Sequence, residues 1–421
     1  MSARKCAFEA ICRVIDGGAY NNIALSGLYD KYSLSNDDKS LCGNIVKGVL
    51  ERKITLDWLI DELSAFPAEE LDKRVLNLLR MGLYQMLFLD RIPDFAICNE
   101  SAIIADSFGK KKKGFVNGVL RSACRRKKEL EKKITEAPEY IKYSLTEELY
   151  SLLCLQYGND AMKIAEGYFE KGGNALRVNP LKTNAKNLLS KLEEMGAVAE
   201  IISDRTIIVK ENFGKVLHLV EEGEFYVQGI SSQRAVELLG AKSGDYVIDV
   251  CACPGGKTLG AAMDMDNKGE IVAFDIHENK LPLIEKNANA LGIDIVKTKK
   301  HNSKKVNEKY INKADKVICD VPCSGIGSIG KRPEIRYKSL KDINGLIETQ
   351  KEILSSSVQY LKDGGRLVYS VCSINKNEGC LLVKDFLDKN EDFVLLREET
   401  VLPKSGCDGF YIAEIVRKQK C

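Results

Sequence analysis

Two cysteines, Cys323 and Cys372, each sit just after an apolar run that reads as a buried strand. The first closes Val317-Ile-Cys-Asp-Val-Pro-Cys-Ser and the second closes Arg366-Leu-Val-Tyr-Ser-Val-Cys-Ser. A buried cysteine taken singly is an inert small apolar residue, and Cys319 and Cys380 read that way. Cys323, however, follows Pro322 and precedes Ser-Gly-Ile-Gly, which is turn sequence, and Cys372 stands where its apolar run stops. A thiol with an ordinary pKa near 8.5 becomes a nucleophile only with a lowered pKa or a nearby base. A helix starting near Asn377 and a cationic ligand are expected to help.

A third strand end carries the ligand loop. Tyr246-Val-Ile-Asp-Val-Cys reads as a strand and runs into Cys251-Ala252-Cys253-Pro254-Gly255-Gly256-Lys257-Thr. Glycines there let backbone amides approach a ligand closely, and the helix that follows favours negative charge at its start. The GxxxxGK[ST] spacing of a P-loop is absent. The next strand ends in Ala273-Phe-Asp275, nineteen residues after Gly256, where an acid is placed to bind ribose hydroxyls. Without pyrophosphate recognition, and with Asp249, Asp275 and Asp320 lining the rim, S-adenosylmethionine suits the site better than NAD. In an open parallel sheet, ligands bind outside the carboxyl ends of the strands, so all three strand ends should meet at one rim.

The remaining elements follow from pattern. Residues 1–128 read as all helical, with apolar spacing in Cys6, Ala7, Ala10, Ile11 and Val14 and a central run from Val75 to Leu89. Ser35 and Thr55 read as helix caps, Ile92-Pro-Asp as a break, and 129–139 as a linker. Residues 140–235 read as a small α+β module with strands at Ala175, Thr206 and Phe225 and a helix from Asn184 to Met195. From 236 to 421 strands and helices alternate, the signature of a mostly parallel, seven-stranded sheet in a Rossmann-like domain. Its strands should start near Tyr246, Glu270, Ile293, Lys316, Arg366, Phe393 and Gly409.

The 421 residues, 44% hydrophobic and 29% charged, describe an ordinary globular chain. No apolar run approaches a membrane span and Met1-Ser-Ala-Arg-Lys lacks a signal-peptide core, so a cytoplasmic location without membrane partners is expected. Fourteen cysteines lack any CxxC pair and the three histidines lie far apart, so no metal is expected, although Cys251-x-Cys253 and Cys319-x3-Cys323 leave that reading open. The net charge of +3 hides a local bias. Between Lys110 and Lys133 stand eleven Lys or Arg against Glu129 and Glu131, a local charge of +9. Such a run is either a solvated helix face or a phosphate-backbone contact.

The motifs carry a resemblance. Asp249-Val-Cys-Ala-Cys-Pro-Gly-Gly-Lys-Thr, Asp320-Val-Pro-Cys-Ser-Gly-Ile-Gly and Leu367-Val-Tyr-Ser-Val-Cys-Ser, with Glu378 as the acid that follows, resemble the RNA (cytosine-5) methyltransferases. Leu176-Arg-Val-Asn-Pro-Leu-Lys and Phe225-Tyr-Val-Gln-Gly-Ile-Ser-Ser-Gln are similar to the same family's smaller module. Leu83-Tyr-Gln-Met-Leu, Ile92-Pro-Asp-Phe-Ala-Ile-Cys-Asn-Glu and Phe115-Val-Asn-Gly-Val-Leu-Arg resemble the all-α NusB-like RNA-binding domain. That fusion resembles the small-subunit ribosomal RNA methyltransferases of the Sun family, over nearly the whole chain.

The resemblance implies that Cys372 attacks C6 of a cytosine in small-subunit ribosomal RNA and that Cys323 assists product release. It implies that Cys251, Ala252, Cys253, Pro254, Gly255, Gly256, Lys257, Asp275, Asn302 and Asp320 line the S-adenosylmethionine pocket, with Asp320 at the cytosine edge or the cofactor. Lys110, Lys111, Lys112, Lys113, Arg121, Arg125 and Arg126 are the expected RNA contacts, on a monomer. Four departures stand out: Cys253 for Ala, Val371 for Thr, Asn302 for Asp, and Gly330-Lys-Arg-Pro-Glu for the usual Arg-Arg-x-Pro-Asp. The competing readings are a transfer RNA or DNA substrate, and a non-catalytic assembly or antitermination factor.

Overall fold

A computed structural model describes residues 3–18, 21–404 and 407–419. Met1 and Ser2, part of the stretch read for an export signal, lie outside the described residues. The chain divides into two units, one of residues up to Phe169 together with Lys331–Leu340, the other of Glu170–Gly330 with Lys341 onward.

The first unit is helical: α1 (Ala3–Ile15), α2 (Asn21–Tyr32), α3 (Asn36–Glu51), α4 (Lys53–Leu63), α5 (Lys73–Phe88), α6 (Asp94–Asp106), α7 (Lys110–Arg125), α8 (Lys127–Glu136), α9 (Glu139–Lys142), α10 (Glu147–Tyr157) and α11 (Ala161–Gly167). Short polar side chains start three of them, Thr146 capping α10 by accepting from the Leu149 amide. Ser35 accepts from the Asp38 amide, and Asp72 accepts from Arg74 and Val75, satisfying amides that have no partner within the helix. Thr55 does not cap. It lies inside α4, and its hydroxyl donates to the Ile141 carbonyl at 2.5 Å because that face of the helix is covered. Ile45, Val49, Leu59, Leu78, Leu83, Val116 and Leu120 form the dry centre. Close packing there requires Gly48, where a Cβ would lie 1.8 Å from the Tyr84 ring.

The expected linker at 129–139 is structured. Its charged sequence hides one apolar anchor, Leu130, which is fully buried in the helical core. Beyond it, Arg52 donates to the Lys142 carbonyl and the Ile54 amide to Ser144, so α9 belongs with the helices and not with the module after it. Residues 331–340 complete this unit from far along the chain. Arg336, fully buried, donates to the carbonyls of Tyr143 (2.8 Å) and Tyr168 (3.3 Å) and stacks on Phe169 at 4.1 Å. Arg52 lies over the same ring at 3.8 Å.

The second unit contains two sheets. The smaller holds β1 (Asn174–Val178), β2 (Val198–Ser203), β3 (Thr206–Glu211) and β4 (Phe225–Val227), in the order β2-β3-β1-β4 with antiparallel pairs. The expected helix is α12 (Ala185–Glu194), followed by α13 (Phe213–Val216). Strand β2 was not among the expected strands. It is an edge strand whose residues are mostly exposed, so it shows no apolar alternation. Buried Arg177 on β1 binds Asp264 at 2.8 Å, and Asn179 donates to the Leu291 carbonyl at 2.8 Å, seating this sheet on the larger half of the unit.

That half runs α14 (Ile230–Leu239), β5 (Tyr246–Asp249), α15 (Gly256–Asp264), β6 (Glu270–Asp275), α16 (Leu281–Leu291), β7 (Val296–Lys300), β8 (Ala314–Asp320), α17 (Ile343–Ser357), β9 (Leu361–Val371), α18 (Cys380–Asp388), β10 (Phe393–Val401) and β11 (Phe410–Arg417). The strand order is β10-β11-β9-β8-β5-β6-β7, parallel from β9 to β7 and antiparallel at β10 and β11. The sheet is built outward from β5 in both directions, so its switch point lies between β5 and β8. The ligand loop leaves β5 there and the Cys323 loop leaves β8.

Candidate active site

The two thiols meet. Cys323 Sγ and Cys372 Sγ lie 3.0 Å apart, each on the loop that leaves its strand, β8 or β9. Adjacent parallel strands place their carboxyl ends side by side, which is why residues 49 apart in sequence touch. The loops are also joined through backbone: the Gly327 amide donates to the Cys372 carbonyl at 3.1 Å. Gly327 must be glycine, because a Cβ would fall 1.8 Å from the Gly409 carbonyl oxygen.

The environment disfavours a charged Cys323. Its hydrogen bond to Cys372, its burial and the charges of Glu378 and Asp320 all push its pKa up. The helix expected near Asn377 begins instead at Cys380, and a turn at 376–379 precedes it. That turn presents a buried acid, Glu378, whose Oε2 accepts from Ser324 Oγ (2.6 Å) and Ser373 Oγ (2.7 Å). The shift at Cys323 is therefore upward, the opposite of the lowering anticipated from a helix start.

Lys257 opens α15 and reaches Asp320 at the end of β8, Nζ to Oδ2 at 2.6 Å. The ammonium also sits 5.2 Å over the Phe410 ring. Ser370 donates to the other Asp320 oxygen at 2.6 Å, so the carboxylate is fixed from two sides with its edge still partly exposed. Behind it, Asp249 is buried, accepts from Thr258 at 2.6 Å, and burial pushes its pKa up to about 7.

The ligand loop packs between these groups and Asp275. Gly255 has φ +104°, a left-handed conformation only glycine adopts cheaply, and it turns the chain into α15. Asp275 Oδ2 accepts from the Cys253 amide at 3.2 Å and Oδ1 from His277 at 2.8 Å. Each oxygen keeps a lone pair, so the partly exposed carboxylate can still receive a diol. Asn302 lies just beyond β7; its Oδ1 accepts from Lys304, while neighbouring Ser303 is buried against the Val250 carbonyl. Cys251 is pushed well up by burial, and Cys253 rises more modestly for the same reason. Ala252 is buried and Pro254 exposed. A loop of close-approach glycines, a ribose-competent acid and no phosphate cradle fits S-adenosylmethionine. Among the described residues, no group of three or more His, Cys, Asp or Glu could hold a metal ion, and no helix is long and apolar enough to cross a membrane.

Sequence reasoning missed the groups that hold these residues. Ser370 and Thr258 orient Asp320 and Asp249, and Gln350, on α17, donates to Glu378. The one available signal was the repeated Cys-Ser pair, 323–324 and 372–373. The basic run forms α7 and α8, in the helical unit. Lys112 pairs with Asp72, Lys113 with Asp106 and Arg126 with Glu129, which neutralises three of the expected RNA contacts. Lys110, Lys111, Arg121 and Arg125 are exposed without a carboxylate partner among the described residues, though Arg121 donates to Asn117.

A seven-stranded Rossmann-like sheet with its ligand loop at the switch point defines a methyltransferase, here fused to a helical NusB-type domain. Comparison agrees and narrows the class. The family model described as 16S rRNA methyltransferase RsmB/F matches residues 236–416, and that of the NusB family matches residues 1–125. The probable ribosomal RNA small subunit methyltransferase B of Bacillus subtilis is 32% identical over 99% of both chains. The ribosomal RNA small subunit methyltransferase B of Shigella flexneri is 31% identical over 99% of this chain and 98% of its own. A methyltransferase homolog protein from Pyrococcus horikoshii, 26% identical, superposes with a TM-score of 0.60 over 66% of this chain and 97% of its own. The chain belongs to the ribosomal RNA small subunit methyltransferase B family.

Proposed function

We propose that this protein methylates C5 of a cytosine in small-subunit ribosomal RNA, with Cys372 as the nucleophile. What carries the reading is the thiol pair 3.0 Å apart at the switch-point edge, beside the Lys257–Asp320 pair and the ligand loop. C6 of a pyrimidine yields only to a strong nucleophile, and a thiolate is the best one a protein offers. Addition of Cys372 Sγ to C6 places carbanion character on C5. S-adenosylmethionine, when bound, supplies the electrophilic methyl group that C5 takes. Residues Cys251 to Lys257, Asp275 and Asn302 hold that cofactor. Asp320, paired with Lys257, accepts hydrogen bonds from the cytosine edge. Cys323 assists loss of the C5 proton, and the C6–S bond then breaks to release Cys372. The base must leave its stack to reach the thiols, which motivates RNA contacts by Lys110, Lys111, Arg121 and Arg125 in the helical unit.

Two variants test the assignment. Cys372→Ser should lose methyl transfer to ribosomal RNA while still binding S-adenosylmethionine in equilibrium dialysis. Cys323→Ala should accumulate a protein–RNA adduct that survives a denaturing gel. Turnover by the serine variant, or an adduct that dissociates on denaturation, would overturn it. Bisulfite sequencing of small-subunit RNA from cells lacking the protein locates the cytosine.

A further inference from the structure

Glu378 is a carboxylate buried to 0% exposure with no cation paired to it among the described residues. Five donors hold it instead. Oε1 accepts from the Ser324 amide (2.8 Å) and Gln350 Nε2 (3.1 Å); Oε2 accepts from Ser324 Oγ (2.6 Å), Ser373 Oγ (2.7 Å) and Asn375 Nδ2 (3.3 Å). Burying a carboxylate costs several kcal/mol unless its lone pairs are filled, so a group so fully supplied is held for what it organises. Both serines directly follow the two thiols. Their hydroxyls also lie 3.1 Å from each other, and Gln350 ties the same carboxylate to the Pro322 carbonyl at 2.9 Å. The carboxylate therefore joins the Cys323 loop, the Cys372 loop and α17 at one point.

We propose that Glu378 is the positioning residue that sets the separation of the two thiols, acting through Ser324 and Ser373. This rests on the reading of Cys372 and Cys323 as attacking and releasing groups. The two sulfurs act in turn on one face of one base, so their loops must keep a fixed relation while the bond to C6 forms and breaks. Two hydroxyls converging on one oxygen impose that relation; an amide at position 378 keeps them only if both turn round to accept from its NH₂. A Gln there can offer its carbonyl to the Ser324 amide and Gln350, but its NH₂ then replaces the shared acceptor, and Asn375 faces a donor.

The test uses the full chain with Glu378→Gln, which keeps side-chain size, and Ser324→Ala, which keeps the backbone bond to Glu378. Ser324→Ala also serves should the first variant fold poorly. Kinetics on small-subunit ribosomal RNA should show kcat reduced by about 100-fold in Glu378→Gln, the scale of an ångström-level misplacement. KM values for RNA and S-adenosylmethionine should stay within about twofold, as for a group that acts only in the chemical step. The double variant should lose little more than Glu378→Gln alone, because the two residues act as one device. A second readout does not depend on activity. With oxidised glutathione, two protein thiols become one disulfide and two reduced glutathiones; peptide mapping of the Cys323–Cys372 link then gives its equilibrium constant. That constant should fall by about tenfold or more in Glu378→Gln. An unchanged constant overturns the positioning role whatever the substrate proves to be. A lowered constant in a protein without cytosine methylation overturns only the proposed function. Additive losses in the double variant would reduce Glu378 to a general packing residue.

Discussion

Asp249 makes the pH dependence of stability a direct probe of the ligand edge. Its carboxyl is buried at the end of β5, and burial lifts its pKa from 3.8 to about 7 despite the hydrogen bond from Thr258. Between those values the folded protein keeps a proton that the unfolded chain has released. The native state binds more protons in that window, so stability falls as pH rises through it and levels off above about 7. About three pKa units correspond to roughly 4 kcal/mol. Asp249→Asn is neutral throughout and does not titrate. The stability of the wild type relative to Asp249→Asn should therefore fall by roughly 4 kcal/mol between about pH 4 and pH 8, other groups cancelling in the difference. Urea unfolding followed by far-ultraviolet circular dichroism measures it. Fluorescence of the single tryptophan, Trp58, would not, since that residue lies in α4 of the helical unit. A difference that stays flat with pH would mean that Asp249 titrates as an ordinary carboxylate, and the account of a dry, buried acid behind Lys257 and Asp320 would be wrong.

Further outcomes follow from the same geometry. Lys110→Ala with Lys111→Ala should weaken RNA binding and lower the slope of log affinity against log salt by about 0.7–0.9 for each phosphate no longer neutralised, whereas Lys112→Ala, already paired with Asp72, should change it less; filter binding across a salt series decides, and equal effects would dismiss the distinction. Gly327→Ala should cost about 1–3 kcal/mol and depress methyl transfer, because the new Cβ meets the Gly409 carbonyl; an unaltered thermal midpoint would count against that close approach. Arg336→Ala should destabilise the helical unit by roughly 3 kcal/mol through two stranded carbonyls and a cavity beside Phe169, read by Trp58 fluorescence during urea unfolding.

The sheet and its rim were legible because buried parallel strands announce themselves as apolar runs and the ligand loop as a glycine turn. β5, β6, β8 and β9 all fall where those runs stand, and the loops carrying Cys323 and Cys372 leave the ends of β8 and β9. β2 was hidden by exposure, since a strand with little to bury has no pattern to show. The segment expected as a linker at 129–139 is helical over most of its length, and one buried residue, Leu130, anchors that charged helix. Glu378 stood in a recognisable pattern, yet its five donors come from four residues spread between 324 and 375, and no local spacing encodes that convergence. The basic run shows the converse limit. Charge is legible in sequence, but its cancellation by Asp72, Asp106 and Glu129 depends on folding.

Residues 331–340 carry a consequence for biosynthesis. They are synthesised after the ligand loop and the Cys323 loop, yet Pro333, Ile335 and Arg336 are buried in the helical unit with Tyr143, Tyr168 and Phe169. A nascent chain of some 170 residues thus contains all the α-helices of that unit but lacks the piece that fills it. The helical unit cannot finish folding on the ribosome until translation has passed Leu340. Nor is it a detachable module: a cut after Phe169 would leave its last segment behind on the other fragment.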